Sequence, residues 1–309
     1  MQIPFFRNPA SRGKAIALGF MVVVLWSTSW VLIKIGLREI PVMNFVALRY
    51  SLAFIFIFPL IFRRQQRDCI KQLSIRNWVE IGLLGLVSVA ITQSAQFIGL
   101  SLLPSVTVSL ILNLSPLLVT IIAISFLREI PTGRQWIGVA LNLVGVLVYF
   151  LPLGLDNSQL LGMGIVFIGL VANSASSLLG RKINREQYAD PITVTGLSMG
   201  VGAFFLLIGG LGFQGIPNIS LSGWLIILFL ALVNTAFAFT MWNYIMQTLT
   251  AMECSILVGF MLVFIAIFSW VFLGESLSLK SILGMVIVMI GGILVQFPQK
   301  KPITPEDGI

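Results

Sequence analysis

Ten apolar stretches, each near the length of a membrane-crossing helix, run along this 309-residue chain, and the second five echo the first five. A helix needs roughly 20 apolar residues to cross about 30 Å of hydrocarbon. The stretches fall near 15–35, 43–62, 79–99, 105–126, 135–152, 160–179, 192–211, 222–244, 251–273 and 281–297. The fold class expected is all-α integral membrane, with ten transmembrane helices arranged as two five-helix repeats. An odd number of crossings per repeat inverts the second relative to the first. Inverted repeats build a site near the bilayer midplane that can open to either side, so the architecture points to transport.

Composition closes off other classes. With 58% hydrophobic and 10% charged residues, the chain is no ordinary water-soluble domain. The expected organisation is a tail over 1–14, a first repeat over 15–152, a second over 153–297 and a tail over 298–309. The first span follows Arg7, Arg12 and Lys14 but is too long for a signal-peptide core, so it reads as a retained anchor. The net charge of +8 is topological. If the N-terminus defines one face, that face receives fifteen of the nineteen Lys and Arg residues, and the other receives Lys34, Arg38, Arg49 and Lys280. Such a bias places both termini in the cytoplasm of a bacterial cell, in its inner membrane. The basic residues are thereby accounted for without a nucleic-acid partner. The partners expected are the lipid bilayer and a small-molecule solute, with the chain a monomer or weak homodimer. Cys69 and Cys254 lie far apart in this layout, with no ligand cluster around either, and no metal or cofactor is expected.

A shift of 146 residues lays the fourth and fifth spans over the ninth and tenth. Phe126-Leu127-Arg128-Glu129 then meets Phe272-Leu273-Gly274-Glu275, Arg134 meets Lys280, Ser109 meets Ser255, and Gly138 and Gly145 meet Gly284 and Gly291. Glycines seven apart share a helical face. Small residues let helices approach closely in lipid, so the fifth and tenth spans read as packed scaffold.

The order of motifs resembles that of the drug/metabolite transporter superfamily, in its EamA branch of ten-helix carriers. The residues that carry this are Leu25-Trp26-Ser27-Thr28-Ser29-Trp30 with Lys34, then Pro41 and Ala47-Leu48-Arg49-Tyr50, then Pro116 and the hairpin through Glu129 and Gly138. Trp242-Asn243-Tyr244, Glu253-Cys254-Ser255 and Phe272-Leu273-Gly274-Glu275 follow in the second half. The likeness spans about residues 15–297. Two departures stand out: Ser27 replaces a glycine that usually follows the tryptophan, and Leu262 stands where the second repeat would mirror Pro116. The latter predicts a ninth span straighter than the fourth. The resemblance implies alternating access and a central cavity lined by the first, third, fourth, sixth, eighth and ninth spans. It also implies movement of metabolites or amino acids, commonly outward.

The candidate solute contacts are neutral. Every aspartate lies in a loop or tail, the glutamates sit near span ends or beyond them, and there is no histidine. A mid-membrane acidic proton relay is therefore lacking, and facilitated diffusion or exchange is expected. Ser105, Ser109, Asn113 and Thr120 follow near-helical spacing on the fourth span, beside the bend expected at Pro116. Gln93 and Gln96 with Thr92 crowd the third, and Asn173 and Ser177 share a face of the sixth. Each set reads either as glue between helices or as cavity lining. Trp26, Ser29 and Trp30 on the first span and Trp242 on the eighth suggest an aromatic wall, although Trp30 and Tyr244 also suit a headgroup belt. Glu129 and Glu275 read as gating groups or as ion-pair partners of Arg134 and Lys280. Lys34 and Arg49 read as snorkelling residues at the outer span ends, with pairing to Glu39 or attraction of an anionic solute as the other roles open to them.

Enzymatic chemistry fits poorly, because histidine is missing and no aspartate lies within a span. A lipid-linked substrate flippase and a proton-coupled drug or metabolite exporter stand as alternatives to an amino-acid exporter.

Overall fold

The computed structural model describes residues 10–61, 63–115, 117–118, 133–150, 157–214, 217–249 and 251–296. Among these the chain is helical and carries no strand. Helix α1 spans Arg12–Gly36, α2 Val42–Ile61, α3 Arg64–Gln72, α4 Ile75–Leu102 and α5 Ser105–Leu112. Then come α6 (Gly133–Phe150), α7 (Asn157–Glu186), α8 (Pro191–Gln214), α9 (Leu221–Ile245), α10 (Ala251–Leu273) and α11 (Leu279–Gln296). Among the described residues six helices are long and apolar enough to cross a membrane, and three more are apolar but shorter. The all-helical membrane fold is thus the one expected, while the exact count of ten spans is not fixed by these residues. Large apolar side chains face outward at Ile168, Phe204, Trp270 and Phe272, each at least 59% exposed. Such a surface is stable against hydrocarbon rather than water.

Two features escaped the sequence. The short α3 lies between the apolar stretches, and its polar run packs through Gln66, Cys69 and Ile70. Helix α7 continues to Glu186, where Lys182 bonds Glu80 of α4 and Asn184 bonds Asn243 of α9.

Helix spacing is set by glycine. A Cβ on Gly145 of α6 would lie 2.8 Å from the Gly284 carbonyl of α11, and one on Gly291 would lie 2.7 Å from the Gly138 carbonyl. These two helices touch backbone to backbone, as the paired glycines implied. A Cβ on Gly85 of α4 would overlap the Ser198 carbonyl of α8. At the end of α10, Gly274 adopts φ +66°, a conformation that side chains disfavour, and so releases the chain from the helix.

Two helices share an irregularity. Helix α4 widens to π geometry over Gly85–Ile91, and α9 does so over Leu230–Phe237. These stretches occupy the same place in the two halves. Each is followed or filled by a threonine bonded five residues back: Thr92 Oγ1 to the Val87 carbonyl and Thr235 Oγ1 to that of Leu230, both at 2.8 Å. The N-caps match as well, Ser74 accepting from the Asn77 amide and Ser220 from that of Gly223. A π turn inserts a residue and redirects backbone carbonyls, and it recurs at functional positions.

Helix α5 stops at Leu112, and the Leu114 N–H turns back to the Ile111 carbonyl in a tighter 3₁₀-type bond. Helix α10, by contrast, runs unbroken through Leu262. Pro116, Thr120 and Glu129 lie outside the described residues.

Candidate functional site

The middle of the molecule is an aromatic chain between α1 and α9. Trp26 stands 5.0 Å from Trp242 and 5.3 Å from Phe239, ring centre to ring centre, and Phe239 meets Tyr50 of α2 edge-on at 6.3 Å. The π stretch of α9 supplies the polar contacts. The Ala238 N–H is shared between the Thr235 carbonyl and that of Val233, five residues back, and passes over that of Asn234. The Asn234 carbonyl accepts a hydrogen bond from Trp26 Nε1 at 3.2 Å, and the Asn234 side-chain amide donates to the Leu25 carbonyl. Thr235, next along, accepts from Arg49 Nε at 2.8 Å. One widened turn of α9 thus holds α1 through Asn234 and α2 through Thr235.

Of the residues singled out from sequence, Trp26 and Trp242 are brought together. Ser29 is buried and bonds back to the Trp26 carbonyl at 2.6 Å. Trp30, a candidate for the headgroup belt, is instead 4% exposed and packed in the main core with Ile33 and Phe97. Tyr244 is likewise buried rather than belted, lying among Val22, Ile245 and Leu257. Its ring sits at a helix crossing, where packing outcompetes the interface. On α5, Ser109 Oγ bonds the Val106 carbonyl and Asn113 Nδ2 bonds that of Ser109, so both satisfy themselves within their own helix. Asn173 Nδ2 crosses from α7 to Ser115 Oγ at 2.9 Å, and Ser177 hangs from the Asn173 carbonyl with its side exposed. Gln93 and Gln96 are half-buried.

The charged residues depart from expectation. Lys34 pairs with Glu275 at 3.1 Å, not with Glu39, and Glu275 takes Lys34 instead of its neighbour Lys280. The same carboxylate accepts from the backbone N–H and the hydroxyl of Ser105 at 3.0 Å, so it sits on the positive N-terminus of α5. Glu39 does the equivalent at the start of α9, accepting from Ser220 N and Oγ. Around Lys34 and Glu275 an open cleft of about 300 Å³ is lined by Leu37, Arg38, Leu100, Ser101 and Leu273. Arg49 corrects the snorkelling expectation altogether: it is 2% exposed, and its head stays inside, bonded to Thr235.

At the opposite end, Glu80 of α4 gathers Lys182 Nζ at 2.6 Å, Arg76 Nε at 3.0 Å and Tyr188 Oη at 3.3 Å. A relay beside it joins Asn184 of α7 to Asn243 of α9 and Asn243 to Thr195 of α8, each at 2.8 Å. Sequence reasoning passed over Tyr50, Asn184, Asn234, Thr235 and Phe239. A buried asparagine or threonine in an apolar helix was the available signal, since such a group demands a partner.

Apolar helices of membrane length from both halves of the chain, joined across a polar and aromatic seam, define a multi-pass membrane protein. The chain belongs to the EamA-like transporter family, whose profile matches it twice, over residues 13–151 and 160–297. It is similar to the uncharacterized transporter YoaV of Bacillus subtilis, with 25% identity over 89% of this chain and 94% of that one. It is also similar to S-adenosylmethionine/S-adenosylhomocysteine transporters of Chlamydia trachomatis, with 27% identity over 63% of this chain and 59% of the relative. A chain solved by crystallography shares the fold, with a TM-score of 0.67, 20% identity and coverage of 92% of this chain and 96% of that one.

Proposed function

We propose that this protein moves a small zwitterionic or uncharged metabolite, such as an amino acid, out of a bacterial cell across the inner membrane by alternating access, with both termini cytoplasmic. The observation that carries this reading is the seam in which Trp26 of the first repeat meets Phe239 and Trp242 of the second. Movement between repeats opens and closes such a seam, and an aromatic wall suits a solute with an apolar body. The half-buried amides of Gln93 and Gln96, and the Asn173–Ser115 bond between α7 and the residues following α5, supply neutral hydrogen-bonding groups on helices of both repeats. The chlamydial relatives, named for a substrate that carries an amino-acid head group, are in keeping with this class.

The test is uptake of radiolabelled amino acids into proteoliposomes, with and without a pH gradient, for the wild type and for Asn113→Leu and Gln96→Leu. Saturable uptake that ignores the gradient and is lost in the folded variants supports a facilitator with a neutral site. Cysteines placed at Asn113 and Gln96 that stay inaccessible to water-borne reagents in every state would refute it.

A further inference from the structure

Arg49 lies in the third turn of α2, about 10 Å along the helix from Val42 at 1.5 Å per residue. It is 2% exposed, so it neither snorkels to water nor reaches lipid headgroups. Among the described residues its one hydrogen bond runs from Nε to Thr235 Oγ1, and no carboxylate faces it. The described glutamates near it in sequence or across the seam are already engaged, Glu39 by Ser220 and Glu275 by Lys34 and Ser105. Two rings lie under the guanidinium, Tyr50 at 5.3 Å and Phe97 at 5.8 Å. Two rings and one hydrogen bond stand in for the water shell of a cation with no counter-charge beside it among the described residues. An ionisable group within a membrane span is costly and is as a rule kept for function.

Two neighbouring polar atoms are less satisfied than Arg49 itself. Tyr50 Oη and Asn234 Oδ1 are fully enclosed and have no hydrogen-bond partner. Asn234 adjoins the threonine that holds Arg49, and the rings of Tyr50, Phe239, Trp26 and Trp242 run onward from there. We propose that Arg49 is the anchor for a carboxylate of the transported solute, with Tyr50 Oη as a second donor, Asn234 Oδ1 as the acceptor for an ammonium, and the aromatic chain against the solute's apolar body. This rests on the carrier reading above and narrows its substrate class to zwitterions that carry a carboxylate, with a simple carboxylate serving as a probe of the anchor alone. In the conformation described, the cluster is packed shut, and the solute supplies the missing partners when the repeats part. Thr235 fixes the guanidinium by accepting from Nε while its own hydroxyl proton goes to Leu230. The two terminal nitrogens are thereby left for a bidentate carboxylate.

The experiment uses the full chain in detergent with four probes: L-phenylalanine, 3-phenylpropionate, phenethylamine and L-phenylalaninamide. Ligand-induced shifts in thermal unfolding and uptake of the labelled probes into proteoliposomes are both read. The two acids are expected to stabilise and enter, and the amine and amide to do neither. Arg49→Met should weaken acid binding by on the order of thirtyfold or more. The melting temperature of the empty variant is read alongside, so that acid binding lost from a folded protein is separated from misfolding. Should that variant misfold, Thr235→Val provides the second arm, with severalfold weaker binding of the acids only. The proposal is overturned if amine and amide act as well as the acids, or if Arg49→Met folds and keeps acid affinity. Transport of amines, sugars or nucleosides with carboxylates inert would remove this proposal and leave the carrier standing. Absence of uptake for every solute would remove both.

Discussion

Trp26 and Asn234 hold each other from both sides: the indole N–H donates to the Asn234 carbonyl at 3.2 Å, and the Asn234 amide donates to the carbonyl of Leu25, the residue before Trp26. The pair belongs to opposite halves of the chain and depends on the π turn that leaves the Asn234 carbonyl available.

The clasp predicts coupled behaviour. Trp26→Phe keeps a ring but loses the donor, and Asn234→Leu loses the reciprocal bond. Hydrogen bonds between membrane helices contribute about 0.6 kcal/mol on average. Thermal unfolding of the two single variants and the double variant should show a coupling energy near that size, and strict additivity would mean that the two bonds act independently.

Lys34 and Glu275 fasten α1 to the end of α10, and Glu275 also caps α5. Replacing both with cysteine and bridging them with a short bis-methanethiosulfonate reagent should lock the cleft between them and stop uptake, with recovery on reduction. Glu275→Gln keeps the acceptor for Ser105 but removes the ion pair, so it should alter transport rate more than folding. Unchanged uptake in the bridged double cysteine would show that this contact does not move.

The α6–α11 pair predicts a scaffold phenotype. Gly145→Leu or Gly284→Leu inserts a side chain where a Cβ alone would lie within 3 Å of the facing backbone. Overpacking of this kind costs about 1–3 kcal/mol or more. The expected readout is a lower melting temperature and reduced yield, with unaltered substrate selectivity in the protein that does fold.

Cys69, in the short helix outside the spans, donates its thiol to the Tyr188 carbonyl at 3.5 Å. Burial raises its pKa, the Asp190 charge raises it further, and the hydrogen bond with Asp190 partly opposes both. The protonated form is thus favoured by the fold. That contribution is complete below the unfolded thiol's pKa and is lost as pH rises through the folded value. Alkylation by iodoacetamide should be slow at neutral pH and keep climbing through pH values where an exposed cysteine, placed at Lys71 in a Cys69→Ser background, has levelled off. Equal profiles for the two thiols would contradict the burial.

Apolar length and glycine spacing were sufficient to outline the membrane helices and to foresee the α6–α11 contact, because hydrocarbon thickness and close packing act on local sequence. The predicted span starting at 15 begins at Arg12, and the one starting at 222 begins at Leu221. The site was only partly legible. Trp26 and Trp242 stood out by type, but Asn234 and Thr235 did not, since their importance comes from a widened turn that periodicity does not reveal. Sequence leaves Arg49 several roles, from snorkelling to holding an anion, and only packing shows its head enclosed at the third turn of α2.

What the sequence determined is what local chemistry dictates: an all-helical chain for lipid, built as two related halves. What the tertiary structure decided is pairing: Lys34 with Glu275, Trp26 with Asn234, and Arg49 with Thr235 and two rings. Each of these joins residues far apart in the chain, and a buried polar group takes the partner that helix packing delivers, whatever lies nearest to it in sequence.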